Sequence, residues 1–347
     1  MSEPVYYDGT KILSMKDLDG QTPEIFMVTT NRTGGKTTYF SRLCVNRFLD
    51  KGEKFMLLYR FSYELDDCAD KFFKDIHTLF FPTHNMTGQK RGNGLYVELY
   101  LDNKSCGYAV AMNNADAIKK FSHFFSDVCR ILFDEFQSET NHYCPRELTK
   151  FQSIHTSVAR GQGQQVRYVP VFMLSNPVSL INPYYAKFKI SARLKKDTHY
   201  LRGHGFIVEQ GFVESASNAM LESGFNRAFA EDAYQAYASQ NVYLNDNESF
   251  IEKPKGKGRY LATLRFNGQD FGIREFINEG IIYCDDRPDS TYPMKLCVTT
   301  NDHKINYVML KRNDIFIQDM RFFFERGCYR FKDLTCKEAV LSALSYY

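Results

Sequence analysis

The sequence predicts an α/β protein: a mostly parallel sheet flanked by helices, followed by a smaller α+β domain. Three observations predict it. Short apolar runs, each closed by a polar residue, alternate with helix-period segments through the first half. One run, Ile25–Thr29, leads into a Gly-Gly-Lys-Thr turn and then a helix pattern. From about Ser249 the order changes to strands first and helices last. The 347 residues suffice for two domains with cores of their own.

The elements follow in order. Residues 1–23 are polar and mixed in charge and read as an extension packed on the first domain. Ile25–Thr29 is a buried strand, Thr38–Asp50 a helix and Phe55–Tyr59 a second strand ending at Arg60. Tyr63–His77 has apolar residues at helical spacing. Thr83–Gly94, rich in Gly, Asn and basic residues, reads as a loop. Leu95–Leu101 and Cys106–Met112 alternate around Asp102-Asn103-Lys104, a hairpin signal. Arg130–Phe133 is a strand running into Asp134-Glu135. Arg146–Ser157 is a helix, and Val166–Leu174 a long strand ending in Ser175-Asn176. These stretches define a first domain, 1–190.

Residues 191–246 read as a linker with a helical element at Asn218–Ser239. The tract it shares with the end of the first domain is basic: Lys187, Lys189, Arg193, Lys195, Lys196 and Arg202 stand against one Asp197. The second domain, 247–347, has strands at Tyr260–Phe266, Asp270–Phe276, Gly280–Cys284 and Tyr307–Leu310, then helices at Ile315–Arg326 and Cys336–Ser345.

Composition narrows the function. Net charge is only +3, so a nucleic-acid site must be local. No apolar stretch of about 18 residues occurs, which points to a soluble, cytoplasmic chain. Nine cysteines lack a Cys-x-x-Cys pair and read as reduced thiols, not a zinc site.

The chemistry gathers at the turn. Thr30, Asn31, Arg32, Thr33, Gly34, Gly35, Lys36, Thr37 and Thr38 read as a phosphate-binding loop. Backbone N–H groups and the helix N-terminus face the anion, Lys36 neutralises the β- and γ-phosphates of ATP, and Thr37 ligates Mg²⁺. Thr30 stands where the usual loop has its first glycine. At the end of the acidic strand, Asp134 supports the metal and Glu135 polarises the attacking water; otherwise the two acids merely cap the next segment. Asn176 senses the γ-phosphate or orients water, or is a turn before Pro177. Arg160 lies between a helix and a Gly-rich stretch, as a solvated charge or as a finger reaching a neighbour's nucleotide. Arg32 acts in cis or ties the loop to a nearby carboxylate. Lys253, Lys255, Lys257 and Arg259 sit in a Pro/Gly-broken loop suited to phosphate-backbone contact, or simply form a solvated hairpin end. Asp285-Asp286 reads as a turn with Arg287-Pro288, and strand Tyr260–Phe266 carries no carboxylate, so a two-metal nuclease is not expected.

Together these residues resemble the DNA-packaging ATPases of φ29-like short-tailed phages. The resemblance rests on Phe26-Met27-Val28, the Arg-x-Gly-Gly-Lys-Thr loop, Asn46-Arg47-Phe48 with Gly52, and Phe133-Asp134-Glu135-Phe136. Leu174–Ser179 and Asn182-Pro183-Tyr184 add to it, and Phe250–Lys253 and Asn278–Tyr283 extend it into the second domain. It implies an ASCE-type P-loop ATPase domain and a vestigial RNase H-like nuclease domain. It implies a ring, expected to be a pentamer, docked on the portal of a procapsid, in some cases through a scaffold RNA, that pushes double-stranded DNA inside. Glu135 is then the base, Arg160 the trans finger, and the host cytoplasm the setting. The family is more basic than this chain across Tyr59–Leu65, where Arg60 is the remaining candidate for DNA contact. Two other classes stay open: a helicase- or recombination-type ATPase, and a non-hydrolysing nucleic-acid-binding structural protein.

Overall fold

The computed structural model describes residues 6–139, 142–161, 163–178, 182–190, 193–194, 198–228 and 250–345. Contacts divide the chain into two units. The first comprises Met1–Val178 with Lys195–Leu244, the second Ser179–Leu194 with Asn245–Tyr347. The chain therefore leaves the first unit and returns to it, where the sequence reading drew a single boundary at 190 and a linker after it.

The first unit is built on nine strands: β1 (Ile25–Thr29), β2 (Lys54–Tyr59), β3 (Met86–Arg91), β4 (Tyr96–Leu101), β5 (Lys104–Ala111), β6 (Val128–Asp134), β7 (Val171–Ser175), β8 (Tyr200–Arg202) and β9 (Phe206–Gln210). Their order is β3-β4-β5-β2-β6-β7-β1-β9-β8. The six central strands, β5 to β9 in that order, run parallel. The edges β3, β4 and β8 are antiparallel. Parallel strands covered on both faces must be apolar throughout. Accordingly, all but the first residue of β1 and all of β7 are buried.

Strand β7 lies between the loop strand β1 and the acidic strand β6, which sets both the loop and Asp134 at the C-terminal rim. Helix Lys36–Lys51 covers the sheet through Phe40, Cys44 and Val45, all fully buried, and ends at Gly52 in a left-handed cap with φ 69°. Tyr7 and Ile12 join the same core as Phe40 and Phe172, so the N-terminal extension does pack on this unit.

Three elements differ from the sequence reading. Met86–Arg91 is an edge strand and not a loop; only Met86 is buried, so no alternation marks it. The segment at Tyr63–His77 is broken by Asp67, whose φ of 55° separates a short 3₁₀ turn from helix Cys68–Phe80. The strand expected over Val166–Leu174 begins only at Val171, since Pro170 has no N–H for a ladder. Residues 229–239 of the expected helical element lie outside the described residues; helices Glu214–Glu222 and Gly224–Ala228 precede them.

The second unit holds a mixed six-stranded sheet of β10 (Arg259–Phe266), β11 (Gln269–Phe276), β12 (Ile281–Asp285), β13 (Lys295–Cys297), β14 (Val308–Met309) and β15 (Tyr329–Phe331). The order is β14-β13-β10-β11-β12-β15. The β10–β11 turn has Asn267 at φ 46° and Gly268 at φ 86°, as a two-residue Asn-Gly hairpin requires. Ile317 and Met320 of helix Asp314–Glu325 and Ala339, Val340 and Ala343 of helix Leu334–Ser345 share the sheet's core. The smaller domain is thus α+β. All nine cysteines are free thiols, seven of them buried. No helix among the described residues is long and apolar enough to cross a membrane.

Candidate active site

The turn after β1 has the shape an anion needs. Helix Lys36–Lys51 starts from Gly35, whose φ of 88° turns the chain so that free N–H groups of the first turn face the loop. An anion site also requires that carbonyls point elsewhere. Three loop carbonyls are engaged by internal donors. Thr30 Oγ1 donates to the Asn31 carbonyl at 3.0 Å and Thr33 Oγ1 to the Arg32 carbonyl at 2.7 Å. The Tyr7 N–H donates to the Gly34 carbonyl at 2.8 Å. Thr30 is fully buried and lies outside the left-handed region, so the missing first glycine leaves no backbone strain.

Lys36 and the acidic strand come together at one rim. Lys36 Nζ donates to Asn176 Oδ1 at 2.8 Å. Its side chain is buried, and that burial pulls its pKa down to about 8, with Arg32 acting the same way and Asp134 and Glu135 opposing. Asp134 is pushed up by desolvation, while Lys36, the hydroxyl of Thr37 and the Glu135 N–H pull it down. That N–H donates to Asp134 Oδ1 at 2.9 Å. Glu135 is held above the ordinary carboxylate range by desolvation first, then by Asp134 and Glu139, with Arg32 opposing. Its φ of 56° is a left-handed conformation that costs a non-glycine residue about 1 kcal/mol. Thr37, Thr38, Asp134 and Glu135 also line a cavity of about 270 Å³ floored by Leu57, Leu58 and Leu132.

The oxygen pair of Thr37 and Asp134 fits Mg²⁺, which takes one or two protein ligands and fills its shell with phosphates and water. Among the described residues no group of three or more His, Cys, Asp or Glu could hold a metal ion.

Other expected residues fall differently. Arg32 pairs with Glu139, which favours the tie over the cis role. Arg160 is exposed; its Nε donates to the Thr156 carbonyl at 3.2 Å, and it has no ion pair among the described residues. The helix before it, Glu147–Val158, begins near Arg60 at the loop rim and runs about 18 Å. It ends near the start of β6, where Gly161 lies against Ser126. Arg160 is thus not brought to its own chain's Lys36.

Arg60 corrects the expectation of DNA contact. It is 7 % exposed. Its Nε bonds Glu147 Oε2 at 3.0 Å, and its other nitrogens donate to the carbonyls of Glu135 and Phe136 at 3.2 and 2.9 Å. A guanidinium so enclosed holds the acidic turn and has no face left for phosphate. Lys253, Lys255, Lys257 and Arg259 are all exposed, and Arg259 also pairs with Glu275. Lys195 and Lys196 lie outside the described residues. Sequence reading missed Glu147, Glu139 and the Tyr7 and Val213 contacts to the loop, all of which come from distant segments.

Fold and site together define an α/β protein on a mostly parallel sheet, with its acidic strand one strand removed from the strand that leads into the Gly-Gly-Lys-Thr turn. The model of the Podovirus DNA encapsidation protein (Gp16) family matches residues 1–344, and the chain belongs to that family. It is thus a viral DNA-packaging protein. It is 24% identical over 340 residues to the DNA packaging protein of Bacillus phage phi29, covering 95% of this chain and 94% of that one. In fold it is similar to a chain of the bacteriophage Phi-29 viral genome packaging motor assembly, with TM-score 0.66 and 22% identity over 99% of both chains. It is also similar to a chain of the Phi-28 gp11 DNA packaging motor, with TM-score 0.55 and 15% identity over 98% of this chain and 97% of that one.

Proposed function

We propose that this chain packages DNA by hydrolysing ATP, as one subunit of a ring on the portal of a procapsid. One observation carries the reading: Lys36, Asn176, Thr37 and the Asp134-Glu135 turn converge at one rim of a parallel sheet, in a chain of the encapsidation family.

Residues of the loop bind the triphosphate through their N–H groups and Lys36. Phosphate competes with Asn176 for the Lys36 ammonium, which frees the Asn176 amide to contact the γ-phosphate or the attacking water. Glu135, made more basic by desolvation and by Asp134, takes the proton from that water. Thr37 and Asp134 would hold Mg²⁺, which would neutralise phosphate charge there.

Arg160, exposed and at the far end of its helix from its own chain's loop rim, serves a neighbour's site, which is why activity needs the ring, expected to be a pentamer. Exposed Lys253, Lys255 and Lys257 are candidate contacts to the DNA backbone, with no sequence reading. The second unit serves contact with DNA, portal or a scaffold RNA and has no nuclease role. The setting is the host cytoplasm, transiently on the procapsid.

The test is protection of double-stranded DNA from nuclease by procapsids with portal, with and without ATP. Wild type should protect DNA only with ATP, and Lys36→Ala should not. Arg160→Ala should lose about 10³-fold or more in ATP turnover, partly restored by mixing with Glu135→Gln. Normal turnover by Arg160→Ala in the full assembly refutes the trans role. Strand separation of a forked duplex without packaging would move the chain to the helicase class.

A further inference from the structure

The phosphate loop rests on a segment 182 residues away in sequence. Asn31 is fully buried. Its Nδ2 donates to the Val213 carbonyl at 3.0 Å, and its Oδ1 accepts from the Val213 N–H at 2.9 Å. The amide side chain thus pairs with both main-chain groups of a single residue, as a neighbouring strand would. Just upstream, the Gly211 N–H donates to the Thr29 carbonyl at 2.8 Å, which continues the β1–β9 ladder into the loop.

Two close approaches flank this pairing. A Cβ on Gly34 would stand 2.9 Å from Val213 Cγ2. A Cβ on Gly211 would stand 3.0 Å from Thr30 Cγ2 and no nearer than 3.7 Å to any other group. Neither glycine has a positive φ, so space and not conformation is what a side chain would contest: at Gly34 something must shift, and at Gly211 the Thr30 methyl must give by a few tenths of an ångström. The second contact accounts for the loop's departure from pattern. Thr30 carries a side chain where the usual loop has none, and Gly211 leaves the room for it from the opposite side.

Val213 is buried in the main core and is the residue from which helix Glu214–Glu222 starts. The loop, the 211–213 segment and this helix are joined by hydrogen bonds and by contacts with no slack. What holds the loop in one shape therefore also holds the start of that helix.

We propose that Asn31 and Gly211 are positioning residues of the nucleotide site: they fix the loop's anion-binding shape and tie it to helix Glu214–Glu222. The proposal rests on the nucleotide-binding reading above. It extends the site to a segment with no sequence motif.

The test uses the full-length chain, Mg·ATP and a double-mutant cycle. Gly211→Ala should raise the Kd and KM for Mg·ATP about tenfold and change kcat less than about threefold. In the Thr30→Ser background, which removes only the opposing methyl, the same substitution should change Kd by less than about threefold. Asn31→Ala should weaken binding by a comparable factor. Amide exchange across 214–222 should slow when Mg·ATP saturates the wild type. An unchanged Kd for Gly211→Ala, a loss that Thr30→Ser does not reverse, or unaltered exchange across 214–222 at saturation each overturns the proposal. Should Gly211→Ala fail to fold, the wild-type exchange measurement decides alone. Failure of the wild type to bind Mg·ATP at all is a separate result: it removes the nucleotide reading first, and the tie with it.

Discussion

Asp134-Glu135 and Asp285-Asp286 are written alike, each an acid pair where a strand of its sheet ends. Their surroundings are opposite. Asp285 accepts from Arg274 Nε at 2.8 Å and from the Arg287 N–H at 3.0 Å, and Asp286 pairs with Lys332. Each carboxylate of the second pair is thus balanced by a cation of its own. In the first pair the opposing cations, Lys36 at Asp134 and Arg32 at Glu135, belong to the turn after β1, and desolvation holds both carboxyls above their ordinary range. The cationic side chain that does reach the first turn, Arg60, spends its donors on backbone carbonyls and Glu147 and leaves the Glu135 carboxyl uncommitted. An acid pair becomes a candidate for chemistry when the surrounding cations hold its backbone in place and leave its oxygens available.

The sharpest way to break this comparison is Glu135→Gln. It should lower kcat for ATP by about 10²–10⁴ while ATP still binds, read by phosphate release and calorimetry. An unaffected kcat would put the base elsewhere. Next in size is Arg60→Ala. Leaving Glu147 buried without its cation should cost about 3–5 kcal/mol in urea denaturation. It should also reduce turnover, because the Glu135 carbonyl loses its donor. Normal stability with lost DNA binding would instead restore Arg60 as a DNA contact.

The second pair should respond with stability alone. Asp285→Asn should cost about 1–3 kcal/mol and leave ATP turnover within about twofold, since its partners stay half-buried and under-satisfied. Asp286→Asn should cost about 0–1 kcal/mol, because its pair with Lys332 is solvent-exposed. If either substitution stopped ATP turnover, the contrast between the two pairs would collapse.

Much of the first unit was readable in advance. β1, the loop and helix Lys36–Lys51 announce themselves through a buried run, a Gly-Lys-Thr turn and helical spacing, all of which are local. The polar edge strand β3 was not legible because its outward residues carry no hydrophobic alternation, and its pairing with β4 is what makes it a strand. The β8–β9 pair was not legible because the basic tract before it has the composition of a linker, although Phe206–Val208 is an apolar run. In the site, Lys36 and Thr37 were legible from the Gly-Gly-Lys-Thr turn, and Asp134, Glu135 and Asn176 from their place at strand ends. Arg60 misled for a physical reason: a lone Arg after a strand looks like a surface charge until Glu147, 87 residues on, is folded against it. The supports of the loop, Tyr7 and Val213, carry no motif because they contribute peptide groups and not functional side chains.

The Tyr7 contact bears on how this chain is handled. Residues ahead of a first strand are commonly trimmed, or replaced by an affinity tag, as dispensable tail. Here the seventh peptide caps the carbonyl of Gly34, and the Tyr7 ring packs in the core while its hydroxyl donates to buried Glu209 at 2.6 Å. A version begun at Asp8 would strip the Gly34 carbonyl of its Tyr7 donor and leave buried Glu209 with one donor fewer. A purification handle is better carried on the Gly92–Gly94 hairpin tip, where Gly94 has open space around it.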